Sequence, residues 1–249
     1  MSKRDYSSFS STAKSRFRHV AKAVGFEQIT GILYAKKKDG WHEIFALQAS
    51  QYGSETFYVN FGICVPQLCP AAELRDIKDC GLLLSERLRN IDDTGGFDAN
   101  SKAEMEENAE RVLVQLQKVA IPWFAQRSSW TDISAKYYER EPIEEEKIGF
   151  HSITYGADFR SATYGYLLLK AGRIADARRW LMEAKRLMSL PVYYTRDGRT
   201  VHEKEKFARL QKPEPHQVEW LNNVNDTLDL IGSGKSTAHA SDTSSLDTA

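Results

Sequence analysis

The sequence has no long apolar run and no surplus of charge of either sign. No stretch approaches the roughly 18 consecutive apolar residues of a membrane-spanning helix, so no transmembrane segment and no membrane partner are predicted. Basic and acidic residues number 34 each, giving a formal net charge of zero. This balance argues against a protein that mainly coats nucleic acid or an anionic membrane. The N-terminal residues lack the apolar core of a signal peptide, so a cytoplasmic location is expected.

Cysteine is also scarce. The chain has three cysteines, Cys64, Cys69 and Cys80, and their spacing has no nearby histidine to complete a zinc site. Reduced thiols are therefore expected, and neither a metal nor another cofactor is predicted. No G-x-S-x-G elbow occurs, and the histidines lack metal-binding spacing. No catalytic residue is predicted, and the interpretation leans towards a protein that is not an enzyme.

Residues 29–65 are the stretch with the clearest pattern, and they predict three strands joined by two tight turns. The first strand is expected from Gln28 to Lys36, the second from Trp41 to Ser50 and the third from Thr56 to Val65. An Asp-Gly pair and a Tyr-Gly-Ser segment supply the turn residues between them. The third strand alternates apolar and polar residues, which is typical of a half-buried antiparallel strand.

This alternation gives the third strand two different faces. The apolar face, expected to lie under helices, carries Phe57, Val59, Phe61, Ile63 and Val65. The opposite face carries Tyr58, Asn60, Gly62 and Cys64.

The second face admits two interpretations. One is a solvated sheet surface with a bulge at Gly62, because glycine inside a strand often marks a bulge. The other is a polar binding surface, in which Gln48 of the second strand lies near Asn60 and is flanked by Tyr58 and Trp41. Strand register decides whether the two amides meet, and the sequence leaves that register open.

The elements around these strands are predicted from periodicity and capping. A helix is expected over residues 9–24, ending at Gly25, and a fourth strand within residues 81–91. Ser101 and Glu104 form a capping box that opens a helix expected to stop or kink near Ile121, and Pro122 is expected to begin another short helix. Its apolar stripe comprises Ala109, Val112, Leu113, Leu116, Val119 and Ala120.

The second half of the chain predicts mostly helices. A helical hairpin is expected over residues 164–191, then a small β-hairpin near Tyr193, and helices over residues 203–211 and 215–231. The fold class is therefore α+β, with an antiparallel four-stranded meander sheet packed by helices and a mostly helical C-terminal half. The expected domains are a sheet domain over residues 1–138, a helical region packed on it over 139–231, and a disordered tail over 232–249.

The order of elements carries a family resemblance. A helix, a strand, FALQAS, FYVNFGICV, LSERL and a helix ending VAIPWF follow one another. Over about residues 5–130 this order resembles the bacterial family called domain of unknown function 4304. That family has no established activity, so the resemblance implies a fold and no mechanism. Position by position, the polar residues that match are Gln48, Asn60 and Arg87.

A second resemblance concerns residues 164–191, which are similar to one tetratricopeptide-type helical hairpin. Gly165, Gly172, Trp180, Ala184 and Pro191 fall near the spacing of that repeat. A single repeat cannot bury its own apolar face, so the alternative is an ordinary αα-hairpin within the domain.

Two functions follow as hypotheses. The first is a non-enzymatic protein-interaction module of the bacterial cytoplasm, of accessory or immunity type, whose partner is another protein rather than nucleic acid. The second is a small-ligand-binding protein or enzyme that uses the polar sheet face. In that case Gln48, Asn60 and Arg87 would orient a polar or anionic ligand and Tyr58 and Trp41 would stack on it.

Overall fold

Alternating residues in the first 128 positions build an antiparallel sheet. In this computed structural model the described residues are 16–50, 56–66, 82–89, 96–98, 101–140, 157–194, 200–201 and 209–234. The strands are β1 (Glu27–Gln28), β2 (Leu33–Lys37), β3 (His42–Ala49), β4 (Thr56–Cys64), β5 (Leu84–Arg87) and β6 (Phe97–Asp98). The sheet order is β1-β2-β3-β4-β5, with β6 also paired to β4. The predicted α+β class is confirmed.

The expected first strand is in fact two short strands. β1 and β2 pair with each other, with Glu27 opposite Ala35. The chain reverses at Thr30, whose Oγ1 accepts a hydrogen bond from the backbone N–H of Leu33 at 3.2 Å. A threonine that bonds backbone groups a few residues ahead favours a turn over a continuous strand. The prediction of one strand from Gln28 to Lys36 is therefore wrong.

The apolar face of the sheet lies against aromatic residues of the helices, as predicted. The side chains of Phe57, Val59, Phe61 and Ile63 are buried. The ring of Phe17, in helix α1 (described over 16–23), meets Phe57 edge-on with centroids 5.6 Å apart. Each such pair adds about 0.5–1.5 kcal/mol beyond the area it buries.

Helix α1 ends where the sequence predicts. Gly25 has a φ of +78°, in the left-handed region that glycine adopts without steric cost. The N–H of Phe26 donates to the carbonyl of Ala21 at 2.9 Å, and the N–H of Gly25 donates to Lys22 at 3.1 Å. These bonds satisfy carbonyl groups that the end of a helix otherwise leaves free.

The following helix contains a π-helical turn. α2 (Lys102–Gln115) begins at Ser101, whose Oγ accepts the N–H of Glu104 at 3.1 Å, and it leads through Leu116–Ala120 directly into α3 (Ile121–Ala125). The π turn ends where the sequence predicts a stop or kink, and α3 is the short helix expected to begin near Pro122. The π turn contains one extra residue and shifts the predicted apolar stripe around the helix axis. As a result Val119 is 44% exposed while Ala120 is buried.

Residues 129–249 form a second compact unit. Its helices are α4 (Trp130–Arg140), α5 (Ala157–Lys170), α6 (Ile174–Met188) and α7 (Pro215–Gly232). Gly172 has a φ of +74° between α5 and α6, and a Cβ on Gly165 would lie 2.8 Å from Leu181 Cγ. These two glycines permit the turn and the close helix crossing, so the predicted hairpin is confirmed. In the described residues nothing further supports the tetratricopeptide comparison.

The second unit also contains a small sheet in the order β8-β7-β9. Its strands are β7 (Tyr193–Tyr194), β8 (Thr200–Val201) and β9 (Arg209–Leu210). β9 overturns part of the helix expected over 203–211, since the N–H of Gln211 donates to the carbonyl of Val192 at 2.8 Å. The β-hairpin near Tyr193 and the last helix are confirmed.

Several expectations fall on residues outside the described ranges. They are the start of the first helix, the turn near Gly53, the loop before β5 and the C-terminal tail beyond residue 234. Among the helices that the structure describes, none is both long and apolar enough to cross a membrane.

Candidate binding surface on the open sheet face

Strand register places four polar or aromatic side chains on one face of the sheet. Asn60 of β4 lies opposite Ala46 of β3 on one side and Arg87 of β5 on the other. Gln48 of β3 lies opposite Tyr58. Since residues two apart on a strand share a face, Gln48, Tyr58, Asn60 and Arg87 all point away from the apolar core. We call these four residues the polar patch.

Hydrogen bonds join three members of the polar patch in a row. Arg87 donates through Nε to Asn60 Oδ1 at 3.0 Å. Asn60 in turn donates through Nδ2 to Gln48 Oε1 at 2.9 Å. Side chains from three neighbouring strands are thus connected across the sheet, through one directly opposite pair, Asn60 and Arg87, and one diagonal pair, Asn60 and Gln48.

The guanidinium group determines which side-chain atoms of this row donate and which accept hydrogen bonds. Arginine can only donate, so Asn60 must turn its oxygen towards Arg87 and its nitrogen towards Gln48. Gln48 then accepts with its oxygen, which leaves both of its N–H groups pointing away from Asn60. The row therefore ends in donors on both sides, the guanidinium Nη groups at one end and the Gln48 amide at the other.

The ring of Tyr58 contacts the guanidinium group of Arg87. The Cζ atom of Arg87 lies 4.4 Å from the centroid of the Tyr58 ring, within the range of a cation–π contact. Gly96 makes room for this ring, since a Cβ there would lie 3.0 Å from Tyr58 Cε1 and 2.3 Å from Thr56 Cγ2. Gly96 was missed in the sequence, where the Gly-Gly pair indicates only a turn.

Arg87 carries a charge that no described carboxylate neutralises. Arg173 and Arg186, by contrast, each pair with an acid at 2.6 Å. Lys38 lies 3.2 Å from the buried carboxylate of Glu43, on the other face of the sheet. Both Arg87 and Gln48 are exposed. The polar patch is thus an open surface with one oriented positive charge.

The first unit of the chain matches a known protein family. Residues 17–126 match the model of the family described as Domain of unknown function (DUF4304). This segment is a DUF4304 domain. The match spans α1 through α3, including all strands of the first sheet. No curated protein and no solved structure matches the chain.

Gly62 of the DUF4304 domain is not a bulge. It pairs regularly with Ile44 on β3 and with Ser85 on β5. A Cβ at this position would lie 2.1 Å from the carbonyl oxygen of Leu84. Glycine is therefore required because the β5 backbone approaches closely, which corrects the bulge interpretation and leaves no room for a ligand at this position.

Trp41 does not join the polar patch. It is buried, immediately before β3, whereas Gln48 lies near the other end of that strand. At a rise of about 3.3 Å per residue the two side chains are separated by roughly 23 Å along the chain. The expectation that Trp41 flanks the amides is wrong. Positions 41 and 48 are an odd number of residues apart, so alternation along an extended strand also predicts opposite faces for the two side chains.

The sheet face that carries the polar patch becomes apolar at the end of β3 nearer to Trp41. Ala35, Ile44 and Cys64 form a buried cluster against which Leu33 and Leu82 pack. Beside it, burial lowers the pKa of His42, and the charge of Lys37 lowers it further. Half of the face is thus closed by apolar packing, and the polar patch is the half that remains open.

Cys64 belongs to this apolar cluster and is disulfide-bonded. The expectation that all three thiols are reduced is therefore wrong. Cys69 and Cys80 lie outside the described residues. Within the described part of the chain no group of three or more histidine, cysteine, aspartate or glutamate side chains is arranged to hold a metal ion.

Proposed function

We propose that this protein is a non-enzymatic protein-interaction module, of accessory or immunity type in the bacterial cytoplasm. The polar patch of its DUF4304 domain is the surface that contacts the partner protein. The observation that carries the proposal is the oriented guanidinium group of Arg87, which is exposed and has no acidic partner among the described residues.

The exposure of the patch favours a macromolecular partner over a small ligand. Small-ligand sites enclose most of the ligand surface in a concave cavity. Gln48 and Arg87 instead lie exposed on a sheet, and half-buried Leu33 and Ala46 lie in the cross-strand row of Arg87. Polar groups next to apolar ones on an open surface are typical of protein interfaces, where arginine and tyrosine are enriched.

Affinity capture with matched variants tests this function. The immobilised full-length protein is exposed to a lysate of its native cell, alongside Arg87→Ala and Arg178→Ala. Arg178 is an exposed residue of α6 and carries no acidic partner in the described residues, so its substitution removes the same charge elsewhere. We expect a protein that the wild type and Arg178→Ala retain and that Arg87→Ala loses. Equal recovery by all three forms contradicts the proposal.

A further inference from the structure

We propose that the polar patch recognises a carboxylate group on an aspartate or glutamate side chain in an acidic segment of the partner. The inference rests on the proposed function and adds the chemistry of the group that is bound. Arg87 is the anchor for the carboxylate, and the amide of Gln48, at the other end of the row, donates to a second acceptor of the same segment.

The first argument is the direction of the hydrogen-bonded row. Arg87 uses Nε for Asn60, so neither Nη atom has a hydrogen-bond partner among the described residues. Gln48 uses its oxygen for Asn60, so its two N–H groups remain as well. The free positions at both ends of the row are donors, so each end fits an acceptor group of the partner.

The second argument is preorganisation. A guanidinium group in solution must lose its side-chain freedom before it forms a two-pronged contact with a carboxylate. Here the bond to Asn60 and the ring of Tyr58 already restrict the plane of the Arg87 side chain. The cost of ordering this side chain is largely met in the free protein, which raises affinity without adding a contact.

The third argument is the amount of charge. The polar patch carries a single formal positive charge, on Arg87. One guanidinium group matches the single negative charge of a carboxylate, in two parallel N–H···O bonds. A phosphate carries nearly twice that charge at neutral pH, and its sites collect further cations or backbone N–H groups. The half-buried Leu33 and Ala46 beside the patch also suit the aliphatic stem of a glutamate side chain.

An NMR titration of the full-length protein tests the assignment. The probes are an N-acetylated, C-amidated triglutamate peptide and inorganic phosphate, and the readout is the Nε–H signal of Arg87 and the side-chain amide signal of Gln48. We expect saturable shifts of both signals with the peptide and weaker binding of phosphate. Arg87→Lys keeps the charge but loses the planar fork, so affinity for the peptide falls about tenfold. Gln48→Ala weakens binding by about threefold to tenfold.

Each outcome has a definite consequence. Peptide affinity that is unchanged in Arg87→Ala overturns the inference, and so does tighter binding of phosphate than of the peptide. Loss of binding in Arg87→Ala, with Arg178→Ala unaffected, supports it. If Arg87→Ala loses a cellular partner but the wild type does not bind the peptide, the carboxylate assignment fails and the proposed function stands. If the peptide binds but no partner depends on Arg87, the proposed function fails instead.

Discussion

Asn60 is the residue that determines what the polar patch can bind. Its oxygen faces Arg87 and its nitrogen faces Gln48. Replacing the amide by a carboxylate therefore places a negative charge against the guanidinium group within the protein itself. The charge that we assign to partner recognition would then already be neutralised.

This reasoning predicts the effect of Asn60→Asp. We expect binding of the triglutamate peptide to fall about tenfold or more, because the peptide must displace an internal carboxylate. The free energy of unfolding should change by less than about 1 kcal/mol, since the new ion pair is partly exposed. Peptide titration and urea unfolding measure the two effects. Unchanged peptide affinity would show that Arg87 does not act through its free charge.

The second prediction at the level of one residue concerns Gly62. Gly62→Ala should destabilise the DUF4304 domain by about 1–3 kcal/mol, because its Cβ would overlap the Leu84 carbonyl and a backbone cannot rotate away. Gln48→Ala is the matched control on the same face. It loses one exposed hydrogen bond and should cost about 0.5–1.5 kcal/mol at most. Equal urea midpoints for Gly62→Ala and the wild type would contradict the close approach of β5.

The buried phenol of Tyr34 leads to a prediction about how stability changes with pH in the alkaline range. Burial raises the pKa of its phenol from 10.0 to about 12, against a smaller lowering from the hydrogen bond with Gln28. The unfolded chain loses this proton near pH 10 while the folded chain keeps it. The stabilisation is therefore complete below pH 10 and is lost as the pH rises from 10 to 12.

The comparison with Tyr34→Phe isolates this effect from other alkaline titrations. Phenylalanine keeps the ring that stacks on Phe45, with centroids 4.6 Å apart, and removes the ionisable group. We expect unfolding free energy to fall more steeply between pH 10 and 12 in the wild type than in Tyr34→Phe. Parallel curves for the two proteins would mean that Tyr34 ionises in the folded state as readily as in the unfolded chain.

At the scale of single elements, the π-helical turn is the feature with the clearest consequence. It places one extra residue between Leu116 and Phe124, and the exposed Val119 is the residue left outside the stripe. Deleting Val119 converts the spacing of Leu116, Ala120 and Phe124 into that of a regular α-helix. The buried side chains would then keep their common face.

Deletion of Val119 should therefore be tolerated. Deletion of the exposed Glu107, in the regular part of α2, is the control, because it rotates one part of the helix against the other by about 100°. We expect the first variant to unfold cooperatively at a higher urea concentration than the second. The opposite order would show that the π turn is required for the fold rather than accommodated by it.

Strand and helix patterns in the sequence predict some of these elements and miss others. Period-two alternation identified β3 and β4 and assigned their faces, since one buried face forces that pattern. It did not separate β1 from β2, because the turn depends on the hydrogen bond that Thr30 Oγ1 accepts from the N–H of Leu33. It did not anticipate the π turn, since an apolar residue at Val119 satisfies helical spacing whether or not the helix is regular.

At the scale of the whole molecule, the fold class followed from the order of elements, and three members of the polar patch followed from the family resemblance. Gly96 was missed because its role depends on Tyr58, which is distant in sequence. Trp41 was included wrongly, although its odd separation from Gln48 in the sequence already predicts the opposite face of the strand. Only the role of Gly96 required the contacts between distant segments of the chain.

The central claim is that Arg87, Asn60 and Gln48 form one connected row beside Tyr58 on the open sheet face. The NMR signals of the Arg87 side chain in the free protein test it most directly. We predict a resolved Arg87 Nε–H signal, slowed in exchange with water, with nuclear Overhauser contacts to the Asn60 amide and the Tyr58 ring. Asn60→Ala should abolish the slow exchange. An Arg87 Nε–H signal at the position of a free arginine, with fast exchange and no such contacts, would contradict the account.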